Sequence, residues 1–66
     1  MEISKMDMNG KDLLRYMINN GWEDIRIEGS HHIMKKGDKM ISVPVHGNKS
    51  IKKVLLNRIL KDAGLK

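Results

Sequence analysis

Hydrophobic periodicity changes twice along this chain, and the two changes leave few folds open to it. Leu13, Leu14, Met17 and Ile18 recur at helical spacing, so one apolar stripe runs down a first helix. Asn9 is a good N-cap residue, and Asp12 three positions on can reach back in a capping box. Gly21, after Asn19 and Asn20, is the stop signal. From Trp22 the period becomes two: Ile25 and Ile27 alternate with Asp24, Arg26 and Glu28, as in a half-buried strand. Gly29-Ser30 turns the chain into a second strand from about His31 to Lys36, although a two-residue hairpin favours Asn-Gly or Asp-Gly. Gly37-Asp38 closes the next hairpin, and Met40 to Val45 forms a third strand with Ile41, Val43 and Val45 on one face. Pro44 cannot donate a ladder hydrogen bond and marks an edge or a strand end. Helical spacing returns after the loop His46-Gly47-Asn48-Lys49. Ser50 is the expected cap, with Ile51, Val54, Leu55, Ile59 and Ala63 as the core stripe, Leu56 and Leu60 broadening it, and Gly64 as the stop.

The expected class is therefore α+β, in the order α-β-β-β-α. A three-stranded antiparallel meander sheet carries both helices on one face and leaves the other open. With 66 residues the chain is one domain, spanning 1–66 with residues 1–8 as a loose lead-in. A chain this short buries only about 60% of its unfolded surface, which leaves room for one layer of helices on one sheet. There is no cysteine, so no disulfide framework or cysteine-based zinc finger is available, which suits a reducing cytosol. No stretch approaches the roughly 20 apolar residues of a membrane span, and nothing near Met1 reads as a secretory signal. The expectation is a cytoplasmic protein without a membrane partner.

Thirteen Lys and Arg against eight Asp and Glu give a formal net charge of +5, which favours an acidic partner. The cations fall in two groups: Lys35, Lys36 and Lys39 around the second hairpin, and Lys49, Lys52 and Lys53 at the start of the last helix. A helix N-terminus adds free N–H groups and partial positive charge, so Gly47 to Lys53 is a candidate phosphate dock. Tyr16 and Trp22 are the sole aromatics apart from histidine and read as core or core rim. That argues against recognition by base stacking.

Between the first two strands stands Gly29-Ser30-His31-His32. Histidine, with an unperturbed pKa near 6.5, exchanges protons near neutrality. Strand alternation puts His31, Ile33 and Lys35 on one face and His32, Met34 and Lys36 on the other. If Met34 packs beneath the helices, His31 faces solvent; if Ile33 does, the assignments swap. The adjacent histidines diverge, and His46 could join only one of them, so a zinc site lacks convergent ligands and no metal or cofactor is expected.

Four segments in order carry a resemblance: Asp12-Leu13-Leu14 through Asn20-Gly21-Trp22, Gly29-Ser30-His31-His32, Val43-Pro44-Val45-His46, and Ile59 to Leu65. Together, over roughly residues 9–66, they resemble the HicA toxin family (also called YcfA-like), RNA-cleaving partners of HicB antitoxins. The resemblance implies a fold like a double-stranded-RNA-binding domain and metal-independent endonucleolytic cleavage of mRNA. It also implies a HicB-type antitoxin that masks the site in a hetero-oligomer. The family's histidine after Gly-Ser carries over onto His31, with His32 in reserve. The loop between the third strand and the second helix departs from the commoner, longer version, so the resemblance fixes no role for His46. Ser30, Lys35, Lys36, His46, Lys49, Lys52 and Lys53 are the expected RNA-binding residues. RNA brings its own nucleophile, the 2′-OH, and attack by water is the alternative that a deoxy substitution at the cut site would separate. A non-catalytic module of double-stranded-RNA-binding type, with structural histidines, is the second reading. A protein-interaction subunit with a basic face is the third.

Overall fold

The computed structural model describes residues 8–66. Helix α1 spans Gly10–Asn19, strands β1, β2 and β3 span Glu23–Glu28, His31–Lys36 and Lys39–Pro44, and helix α2 spans Lys53–Asp62. The strands form an antiparallel sheet in the order β1-β2-β3, the expected α-β-β-β-α fold with an open sheet face. The lead-in over residues 1–7 lies outside the described residues, while Met8 is buried in the core. Among the described residues no helix is long and apolar enough to cross a membrane.

The start of α1 follows from its capping residues. Asn9 Oδ1 accepts the Asp12 N–H at 2.8 Å, and Asp12 Oδ2 accepts the Asn9 N–H at 3.4 Å, so two otherwise orphaned donors are satisfied reciprocally. Leu13 and Met17 are fully buried. They meet Met34 of β2, Val43 of β3 and Leu56 and Leu60 of α2, all with at most 1% exposure. Each such burial contributes about 1.5–3 kcal/mol, so this thin core rests on a handful of side chains. Trp22 joins it and Tyr16 packs at its rim, as expected for both.

Three local expectations are corrected. The segment before α2 is not helical at Ser50. Ser50 bridges Asn9, and the Ile51 N–H donates to Met8 O at 2.8 Å, which holds residues 50–51 extended and buries Ile51. The N-cap of α2 is Lys52, without a side-chain capping bond. That start sets the helix phase: Leu56, Ile59, Leu60 and Ala63 point inward, while Val54 is 84% exposed and Leu55 is 40% exposed. Nor is β1 half-buried. It lies at the sheet edge with every residue exposed, and a bulge between Asp24 and Arg26 breaks the alternation that would have aligned Ile25 with Ile27.

The Gly29-Ser30 turn differs from the Asn-Gly type in a specific way. Gly29 has φ +62°, and no non-glycine residue among those described has positive φ, so the left-handed residue comes first. That is the pattern of a type II′ hairpin, which asks for glycine at the first central position. Pro44 ends β3, the opposite edge strand, where its missing N–H costs no ladder bond.

Candidate functional site

The inward position of Met34 decides which histidine faces out. With Met34 fully buried, His32 and Lys36 share the helix side of β2, and His31, Ile33 and Lys35 share the open side. His31 pairs across the ladder with Pro44, and the Val45 N–H donates to Ser30 O at 2.8 Å, extending the pairing one step past β3. His46 therefore emerges beside His31. Their ring centroids lie 6.4 Å apart at 82°, edge to face, and both residues are exposed. Counting back from the Gly37-Asp38 hairpin pairs position 36 with 39 and 31 with 44, so this meeting could have been found in the sequence from register alone.

His46 continues into a cleft of about 230 Å³ lined by Lys49, Ser50, Lys52 and an apolar wall of Pro44, Ile51 and Leu55. No acidic residue occupies the first turn of α2. Two lysines, an imidazole and an uncapped helix start thus converge there, where a bound anion would offset the positive end of the helix dipole. On β1, Glu28 lies opposite His31 and is ion-paired with Arg26.

His32 is engaged elsewhere. Its Nδ1 lies 2.7 Å from Asp24 Oδ2, with the two side chains 19% and 27% exposed. The bulge is what permits this contact: it places Asp24 and Ile27 together on the helix side, diagonal to and opposite His32. Sequence reading had no signal for it, because alternation without a bulge sets Asp24 in phase with Arg26.

The other expected residues do not gather with His31. Lys35 lies four strand residues away, about 13 Å, on the same face. Lys36 is on the opposite face and donates from Nζ to Asn20 O at 2.9 Å, closing the end of α1. Lys53 is the first residue of α2, exposed, and does not line the cleft.

A family model described as "HicA toxin of bacterial toxin-antitoxin" matches residues 10–65, nearly the whole described fold. The chain belongs to the HicA toxin family. No curated protein sequence matches it. Membership makes the chain the toxin half of a toxin–antitoxin system, so an antitoxin is its partner. The HicA match spans both histidine-bearing segments, Gly29 to His32 and Val43 to His46.

Proposed function

We propose that this HicA-family toxin is an endoribonuclease that cleaves mRNA, with His31 as a catalytic acid or base, and that a HicB-type antitoxin neutralises it. The observation that carries this reading is the exposed His31–His46 pair, His31 on the uncovered sheet face and His46 in the loop after β3, next to the Lys49 and Lys52 cleft. The α-β-β-β-α order with one bare sheet face supports it, being the order of double-stranded-RNA-binding domains.

The chemistry requires two proton transfers. One imidazole takes the 2′-OH proton as that oxygen attacks phosphorus. The bond from phosphorus to the 5′ oxygen breaks, and the second ring, as imidazolium, protonates the departing oxygen. The products are a 2′,3′-cyclic phosphate and a free 5′-OH. A catalytic hydrogen bond spans about 3 Å, so rings with centroids 6.4 Å apart can both reach one phosphodiester. Lys49 and Lys52 stabilise the negative charge that builds on the non-bridging oxygens. Ser30 holds the segment leading into His46 through its backbone carbonyl, which accepts the Val45 N–H. Lys35 and Lys53, both exposed, meet flanking phosphates of a longer strand, while Lys36, held at the end of α1, is left out.

The test is cleavage of a defined RNA alongside growth arrest on expression. His31→Ala should lower cleavage by about 10²- to 10⁴-fold and relieve the arrest. Its melting temperature should hold, because the ring is exposed. His32→Ala should loosen β1 yet still cut. A folded His31→Ala variant with full toxicity overturns the catalytic assignment. A 2′-deoxy residue at the cut site should abolish cleavage. Wild-type protein that binds RNA without cutting it overturns the endonuclease reading in favour of a non-catalytic module.

A further inference from the structure

The corrected phase of α2 leaves a second surface away from the histidines. Val54, Asn57, Arg58 and Lys61 are spaced i, i+3, i+4 and i+7, so they form one stripe on the side of α2 opposite its buried residues. They line a cleft of about 450 Å³, completed by Lys66. Lys66 Nζ donates to Asn57 Oδ1 at 2.6 Å, which folds the chain end back along the helix and holds a third cation beside Arg58 and Lys61. Between residues 52 and 66 the chain carries Lys52, Lys53, Arg58, Lys61 and Lys66 against the single acid Asp62.

We propose that this outer face of α2 is a docking surface for the antitoxin, which meets it with a segment bearing carboxylates beside apolar side chains. Two observations choose a protein over RNA. Val54 is 84% exposed at the N-terminal end of the stripe, one turn before Arg58, so an exposed apolar side chain and three cations share one helix face, a mixture that suits a protein contact better than phosphates alone. Its cations Arg58 and Lys61 also lie past the first turn of the helix, where backbone N–H groups are already bonded, and the stripe has no aromatic on which a base could stack. Charge complementarity then fixes the partner's sign: the cluster selects an acidic segment and repels a basic one. This inference rests on membership in a toxin–antitoxin family, and it is independent of which residue cuts RNA.

The experiment uses the full chain and its cognate antitoxin, defined as the protein whose co-expression abolishes the growth arrest. Arg58→Glu with Lys61→Glu, and separately Val54→Glu and Val54→Ser, are titrated against that antitoxin by calorimetry, and each variant is expressed alone. The charge reversal and Val54→Glu should weaken binding at least tenfold, and the double variant should flatten the dependence of affinity on salt. Val54→Ser, which keeps the charge pattern and the exposed position, should weaken it less. Arrest in the absence of antitoxin should persist throughout. Unchanged antitoxin affinity in the reversed and Val54 variants overturns the proposal. So does loss of RNA cleavage with antitoxin affinity intact, which would assign the face to RNA. A toxic His31→Ala variant would sink the endonuclease reading and leave this one standing.

Discussion

Gly10→Ala probes the contact that ties α1 to the site. Gly10 is the first residue of α1 and is buried. A Cβ there would lie 2.5 Å from Pro44 O, 2.7 Å from Val45 Cα and 2.8 Å from Val45 Cγ2. Two of these three are backbone atoms, so no rotamer change relieves the overlap, and residues 44–45 must move away from the helix. Alanine in place of glycine ordinarily stabilises a helix by up to about 1 kcal/mol, less at the first turn. Overpacking a tight contact costs about 1–3 kcal/mol. The net expectation is a loss of roughly 1–2 kcal/mol, which in a domain this small lowers the melting temperature by roughly 4–16 °C. The displaced segment carries His46, and a misplacement of about 1 Å in a catalytic group can cost 10²-fold in rate. Melting followed by circular dichroism, with RNA cleavage measured where both proteins remain folded, gives the two readouts. A melting temperature equal to or above wild type would refute the steric reasoning. A lowered melting temperature with unchanged cleavage would refute the link between α1 and His46.

Met34→Ala removes a fully buried side chain from the centre of the sheet and should cost about 2–5 kcal/mol. That is comparable with the whole stability expected of so small a domain, so chemical denaturation should show a midpoint close to zero denaturant or no cooperative transition. Lys49→Gln with Lys52→Gln should weaken RNA binding similarly across sequences and reduce the slope of log affinity against log salt by about 0.7 per lost phosphate contact on single strands. A filter-binding series at several salt concentrations measures this slope, and an unchanged value would remove those lysines from the interface.

Much of the architecture is legible in contiguous residues. The Asn9–Asp12 capping box, Gly21 after α1 and the glycine turns at 29 and 37 act through neighbours a few positions apart. Strand alternation on β2 likewise links the burial of Met34 to the outward direction of His31, two residues being enough to carry the phase. What could not be read locally depends on segments far apart in the chain. The Met8–Ile51 bond delays α2 and turns Val54 outward. The bulge in β1 brings Asp24 to His32, a contact that plain alternation does not give. Lys36 is drawn to the end of α1 instead. Local periods and caps are energies of adjacent residues, so the amino-acid sequence by itself determined the elements and set His31 on the face of β2 opposite Met34, while only the packed core decided that Met34 points inward. Helix phase, strand bulges and the meeting of side chains are settled when distant backbone groups find partners and the core fills its volume, and that competition exists only in the folded chain.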